Sequence, residues 1–209
     1  MTNTFKISVQ PRRLTSKPPR SAMKELQENY TYHECTLNGL KEIVSRGHTL
    51  VGAKLKDGYR DGVNFLGSQV VFLDFDDNEN PEEKIKLFEK YGIKVNLFYN
   101  SFSHTPEFNK FRLVIVFDTI IEDAKIYRDA VIALIKIGES DKACSSCVTM
   151  FYAGNNAEVL CEEINQWDLV VGHLDTLINE GKSKRTQRRN HIRLNKVKSD
   201  RKVVTPYSN

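Results

Sequence analysis

An apolar run that stops on closely spaced carboxylates is the part of this sequence best suited to chemistry. The apolar residues 70–73 lead directly into Asp74-Phe75-Asp76. Residues two apart in a β-strand point to the same face, so Asp74 and Asp76 would present both carboxylates on one side of the strand end. Like charges held this close repel, and a divalent cation relieves the repulsion. The spacing therefore predicts a metal-dependent enzyme.

Further polar residues along the chain have side chains that could take part in nucleotide transfer. Ser103-His104 follows the next predicted strand, Arg112 begins another, and Asp141 precedes the segment 150–152. In nucleotidyl transfer, three carboxylates hold two divalent metal ions, which Asp74, Asp76 and Asp141 would do. A histidine and an arginine opposite the metals would bind the triphosphate oxygens. His104 and Arg112 are the candidates.

Two of these assignments remain open on the sequence alone. Asp118, at the end of the apolar run that starts at Phe111, is also a strand-end acid and competes with Asp141 as the third carboxylate. Lys110 is interpreted as a solvated loop charge, and Arg112 as either a triphosphate ligand or one half of an ion pair on a strand.

The residues between these positions alternate between helical and strand patterns. Asn80 and Pro81 are a typical N-cap and first helical residue, and Gly47, Gly92 and Gly138 mark helix ends. The helices are predicted at 37–46, 81–91, 122–137 and 174–179, and the strands at 49–55, up to Asp74, and at 95–99, 111–117, 150–153 and 157–160. The last two strands flank the turn at 154–156. The pattern predicts an α+β core with a mixed β-sheet flanked by helices.

Composition divides the chain into three parts. Residues 1–30 are polar, so the helix near 37–46 is expected to be the first ordered element, and 31–181 form the catalytic domain. Residues 182–209 form a basic extension, with ten lysines or arginines and one acid between Lys182 and Lys202. This charge suits a phosphate backbone, with Lys184, Arg185, Arg188, Arg189 and Arg193 as nucleic-acid contacts. A linker or solubility segment is the alternative.

Other features exclude several protein classes. No apolar run approaches the roughly 20 residues of a spanning helix, and the N-terminus lacks an apolar signal region, so a cytoplasmic protein without a membrane partner is expected. The four cysteines of the 209 residues have no spacing typical of a disulfide framework. Cys144 and Cys147 form a C-x-x-C without the second pair that a zinc site needs.

The order of the motifs resembles the archaeo-eukaryotic primase superfamily, and within it the small primase-polymerases of phages and plasmids. The resemblance covers about residues 37–160 and is carried by the stretches 72–77, 103–107 with 111–114, and 141–144 leading into 150–154. It implies a primase-polymerase core with an RRM-like sheet bearing the acids, and synthesis of primers or DNA on single-stranded DNA with Mg²⁺ or Mn²⁺. Asp74, Asp76 and Asp141 would be the metal ligands, and Ser103, His104 and Arg112 the nucleotide ligands.

The match to the superfamily is incomplete at two positions. Phe102 stands where the second motif has a small residue, which leaves open whether Ser101 or Ser103 contacts substrate. Thr149 stands where relatives often have an arginine, so that contact is either missing or supplied by Lys142.

Two other functions compete with this interpretation. A haloacid-dehalogenase-like phosphohydrolase also begins with Asp-x-Asp at a strand end and would use Asp74 as a nucleophile, but Asn78 replaces its preferred threonine. A non-catalytic single-stranded DNA-binding replication module is the second alternative. Because the sequence has no GxxxxGK[ST] phosphate-binding loop, a primase of this kind would need a helicase partner or a fused helicase region.

Overall fold

The computed structural model describes residues 3–179, which form an α+β fold as expected. Its strands are β1 (Phe5–Arg13), β2 (Thr31–Cys35), β3 (His48–Val51), β4 (Ala53–Leu55), β5 (Phe65–Phe75), β6 (Leu97–Ser101), β7 (Phe111–Ile121), β8 (Met150–Phe151) and β9 (Gly154–Val159). Its α-helices are α1 (Leu37–Ser45), α2 (Pro81–Glu89), α3 (Ala124–Gly138) and α4 (Trp167–Asn179). Short 3₁₀ turns cover Arg20–Leu26, Lys56–Gly58, Gly62–Asn64 and Lys142–Ser145.

The strands form two sheets whose strand pairs are antiparallel. One has the order β4-β5-β7-β6-β9 and the other β2-β1-β3-β8. β5 and β6 are connected through α2 and lie on either side of β7, which is the split arrangement expected of an RRM-like sheet. This arrangement puts the end of β5 beside the start of β7.

The five-stranded sheet is covered on both faces, which explains why β5 is apolar on both sides. On one face, Phe75 stacks on Phe111 with ring centroids 4.7 Å apart, and the end of α3 packs so closely that a side chain at Gly138 would collide with Phe88. On the other face, Phe72 of β5 stacks on Phe151 of β8 at 5.0 Å. Asp74 is two residues from Phe72 and therefore faces the second sheet.

The N-terminal segment is ordered, so the expectation that the helix at 37–46 comes first is wrong. β1 lies between β2 and β3 in the four-stranded sheet. Its side chains Phe5, Ile7 and Val9 are buried, and the polar residues between them had masked this alternation. This segment is ordered because β1 pairs with β2 and β3, which are distant in sequence, and local composition does not indicate such pairing.

The predicted strand at 49–55 is two strands in different sheets, and the predicted hairpin around 154–156 does not form. β3 and β4 separate at Gly52, where an added Cβ would collide with the carbonyl oxygen of Val70. β8 pairs with β3, whereas β9 pairs with β6. In both places the chain crosses from one sheet to the other, which an apolar pattern alone does not reveal.

The four predicted helices are confirmed, the first three with small differences at their ends. The Asn80 side chain accepts hydrogen bonds from the backbone N–H groups of Glu82 and Glu83, as an N-cap should. The last helix is longer than predicted, beginning at Trp167. Among residues 3–179, no helix has both the length and the apolar character needed to cross a membrane.

Candidate active site

Three strands bring a carboxylate, a guanidinium and a phenol into one row at the end of the five-stranded sheet. Asp74 of β5 lies directly opposite Arg112 of β7, and Arg112 lies opposite Tyr99 of β6. Paired residues of adjacent strands project on the same face, so the three side chains meet. The row exists because the last part of β5 is in register with the first part of β7.

Arg112 is buried, and its guanidinium group contacts Asp74, the backbone of Tyr152 and two aromatic rings. Its Nε lies 3.1 Å from Asp74 Oδ1, and its Nη2 donates to Asp74 Oδ2 at 3.3 Å. Its Nη1 donates to the carbonyl oxygen of Tyr152 at 2.8 Å. The guanidinium also lies over the rings of Tyr99 and Phe151, 5.6 and 5.8 Å from their centroids. This two-pronged contact, one hydrogen bond from Nη2 and one ion-pair contact from Nε, fixes the orientation of the Asp74 carboxylate.

Asp76 pairs with a lysine that the sequence suggested was a solvated loop charge. Lys110 Nζ lies 3.7 Å from Asp76 Oδ1, and it also lies 5.4 Å from the ring centroid of Phe108. The loop that carries Lys110 is tied to β6 because Ser101 N donates to the Lys110 carbonyl oxygen at 2.8 Å. Lys110 is therefore part of the site.

These side chains line one open cleft of about 120 Å³. That volume is about four water molecules' share of liquid volume and is smaller than a typical ligand pocket, so it suits a cation or a phosphate group better than a whole nucleotide. The lining combines three cations, two acids, two serines and three apolar or aromatic residues: Lys17, Lys110, Arg112, Asp74, Asp76, Ser101, Ser103, Phe102, Met150 and Tyr152. The cations exceed the acids by one.

The environment of Asp74 disfavours its charged form. Burial raises the pKa of the Asp74 carboxyl above its usual 3.8, the Arg112 guanidinium acts against this rise, and the charges of Asp76 and Asp141 add to it. A carboxyl with two negative neighbours in a half-buried position gains from a divalent cation, which would offset the repulsion.

The two candidates for the third carboxylate lie at different places. Asp141 is next to Asp74, because its backbone N–H donates to the Asp74 carbonyl oxygen at 2.9 Å. Its carboxylate accepts from Ala143 N and caps the turn Lys142–Ser145. Asp118 lies six residues along β7 from Arg112, roughly 20 Å at the strand rise, and its carboxylate accepts from Trp167 N. Of the two, Asp141 is the one near the cleft.

His104 lies in the loop between β6 and β7, close to the cleft but not among its lining residues. Its Nδ1 accepts a hydrogen bond from the backbone N–H of Lys110 at 3.3 Å, and the backbone N–H of His104 donates to the Ser101 carbonyl oxygen. An Nδ1 that accepts leaves the proton of the neutral ring on Nε2, which makes Nε2 a donor. Of the two serines, Ser101 is buried and its Oγ accepts from Ser103 N, whereas Ser103 is exposed.

The carboxylate pair fits a divalent cation, although a third protein ligand is not in position. Among residues 3–179, no group of three or more histidine, cysteine, aspartate or glutamate side chains is arranged to hold a metal ion. Mg²⁺ is nevertheless often bound by one or two carboxylates, with substrate phosphates and water completing its coordination. Asp74 and Asp76 would be those two carboxylates.

Sequence reasoning missed Lys17 and Tyr152 as parts of this site. Lys17 comes from the polar N-terminal segment, and Tyr152 contributes its backbone carbonyl oxygen to Arg112. Tyr152 lies within the motif stretch 150–154, but its contact with Arg112 and the position of Lys17 both depend on contacts between residues distant in sequence, which local patterns do not indicate. The predicted nucleic-acid contacts Lys184, Arg185, Arg188, Arg189 and Arg193 lie outside the described residues.

Comparison with known proteins gives one structural likeness. The AEP domain of the primase-polymerase (PrimPol) of Cyanophage S-2L superposes with a TM-score of 0.46 and 13% sequence identity, over 85% of this chain and 89% of that one. No protein-family model matches the sequence, and no curated protein matches it.

Proposed function

We propose that this chain is a metal-dependent nucleotidyltransferase of the primase-polymerase kind, which synthesises primers or DNA on a single-stranded DNA template. The observation that carries the proposal is the cleft in which Asp74 and Asp76 lie beside three cations. Such a cleft can take up a divalent cation and a phosphate group side by side, which is what phosphoryl transfer requires. The order of the sequence motifs supports the same chemistry.

In the proposed reaction each residue has a distinct task. A divalent cation on Asp74 and Asp76 would lower the pKa of the attacking 3′-hydroxyl and neutralise the leaving pyrophosphate. His104 Nε2 would donate to a phosphate oxygen, together with Ser103. Arg112 would act mainly by orienting Asp74, since it already contacts both oxygens of that carboxylate. Asp141 would supply a third negative charge near the metal site.

The geometry of Asp74 weighs against the phosphohydrolase alternative. A nucleophilic Asp74 would have to turn an oxygen toward phosphorus, whereas the Arg112 guanidinium holds this carboxylate in one orientation by contacts to both oxygens, which suits a metal ligand with a fixed position. Trapping of a phosphate analogue such as beryllofluoride on Asp74 would favour the phosphohydrolase.

The test of the proposed function is a synthesis assay on single-stranded DNA. The full chain is incubated with template, ribonucleotides or deoxyribonucleotides, and Mg²⁺ or Mn²⁺, with and without a primer, and the products are sized. Template-dependent products that require the metal support the proposal. Their absence in every combination, together with template binding, would instead favour a non-catalytic DNA-binding module. The proposed partners are the template, nucleoside triphosphates and a separate or fused helicase.

A further inference from the structure

Two of the three cations in the cleft are already neutralised by its acids. Arg112 pairs with Asp74, and Lys110 pairs with Asp76. Lys17 also lines the cleft, but within the described part of the chain it forms no ion pair. Among the residues that line the cleft, Lys17 is therefore the cation that is not paired with an acid.

The segment that carries Lys17 is fixed at both ends. Before it, Leu14 N donates to the Gly47 carbonyl oxygen at 2.7 Å, next to the point where β1 pairs with β3. After it, the turn Arg20–Leu26 buries Leu26 completely, and Glu25 pairs with Arg12 of β1. The backbone on either side of Lys17 is thus held against the four-stranded sheet, which keeps this lysine at the mouth of the cleft.

We infer that Lys17 is an anion-binding residue of the cleft, which contacts a phosphate group of the incoming triphosphate. This inference rests on the proposed function for the identity of the ligand. Its physical basis is charge: an anion that approaches the cleft meets two acids whose charges are balanced and one ammonium group whose charge is not. Because Lys17 is exposed, a phosphate can reach it without displacing another side chain.

The test measures binding and does not depend on catalysis. Inorganic triphosphate is titrated into the full chain in the presence of Mg²⁺ by calorimetry, using the wild type, Lys17→Gln and Lys17→Arg. Lys24→Gln is the matched control, because Lys24 is an exposed lysine of the same segment that does not line the cleft. The expected result is a Kd raised about fivefold in Lys17→Gln, and changed less than about twofold in Lys17→Arg and Lys24→Gln.

The outcomes separate this inference from the proposed function. The inference is overturned if the wild type does not bind inorganic triphosphate, if Lys17→Gln binds as tightly as the wild type, or if Lys24→Gln loses as much affinity. If binding depends on Lys17 but the wild type incorporates no nucleotide, the inference stands and the proposed function fails. If nucleotide is incorporated and binding is independent of Lys17, the reverse holds.

Discussion

At the residue scale, the contact between Asp74 and Arg112 determines what either side chain can do. Only 19% of the Asp74 side chain and 9% of the Arg112 side chain are exposed, so each charge depends on the other for compensation. Asp76 differs because 44% of its side chain is exposed and its lysine partner is more distant. Substitution of Asp76 is therefore expected to affect mainly catalysis, whereas substitution of Asp74 or Arg112 is expected to affect the stability of the fold as well.

We expect Arg112→Ala to lower the free energy of unfolding by about 3–5 kcal/mol, because the buried Asp74 carboxylate would lose its partner. Arg112→Lys should lose less, since it keeps the charge but not the two-pronged contact. Urea denaturation at neutral pH measures both, with Arg128→Ala on the exposed side of α3 as the control. A loss below about 1 kcal/mol in Arg112→Ala would show that the pair is only a weak surface contact.

The raised pKa of Asp74 gives a second prediction. Asp76→Asn removes a neighbouring negative charge, so the pKa of Asp74 should fall toward 3.8, which ¹³C NMR titration of the carboxyl carbons can follow. With a raised pKa the folded chain binds this proton more tightly than the unfolded chain. The Asp74 carboxyl therefore lowers the free energy of unfolding as the pH rises from 3.8 through the pKa that Asp74 has in the folded chain. In Asp76→Asn, this pH-dependent loss of stability should be smaller. An unchanged Asp74 titration would contradict this account of the site's electrostatics.

At the scale of elements, local signals predicted the helices and the central strands well. Asn80, Pro81 and the apolar period define α2 because capping and amphipathicity involve residues close in sequence. The two acids at the end of β5 were also predictable from strand periodicity alone. The pairing of Asp74 with Arg112 was not, because it depends on the register between β5 and β7. The N-terminal segment likewise becomes ordered through pairing of β1 with strands that are distant in sequence.

A pair of buried asparagines holds the segment after β9 against the five-stranded sheet. Asn96 donates to the carbonyl oxygens of Cys161 and Glu163, each at 3.0 Å, and accepts from Val116 N at 2.8 Å. The backbone N–H and the side-chain amide of Asn165 both donate to the carbonyl oxygen of Val116 in β7, and Asn165 also bonds to residues just before β6. These bonds are buried and therefore costly to leave unmade.

We expect Asn96→Ala to lower the free energy of unfolding by about 2–4 kcal/mol, because one backbone N–H and two carbonyl groups would lose their partner. Asn155→Ala, on the exposed side of β9, is the matched control and should change stability by less than about 0.5 kcal/mol. Thermal and urea denaturation measure both variants. Equal stability of the two would mean that water replaces the amide of Asn96 at no cost.

At the scale of the whole molecule, the cleft and the sequence of the basic extension differ in how many positive charges they carry. The lining of the cleft has one more cation than acids, which suits a single phosphate group. The extension after Gly181 has ten basic residues, which suits a polymer of phosphates. The template would then be bound mainly by charge and independently of base sequence.

We expect a chain that ends at Gly181 to bind single-stranded DNA more weakly than the full chain and with a smaller salt dependence, because fewer counterions would be released. Fluorescence anisotropy with a labelled oligonucleotide over a range of salt concentrations measures both quantities. Equal affinity with the same salt slope would make the extension a linker or solubility segment, without affecting the assignment of the cleft.

In the proposed function, the strand-end carboxylates Asp74 and Asp76 hold the metal ion that nucleotidyl transfer needs. The most direct test is the rate of nucleotide incorporation on a primed single-stranded template with Mn²⁺, compared between Asp76→Asn and Asp77→Asn. Both changes remove one negative charge from adjacent positions, but only Asp76 lines the cleft. We expect Asp76→Asn to lower the rate by at least about a hundredfold and Asp77→Asn to stay near the wild type. Equal rates in the two variants would contradict it.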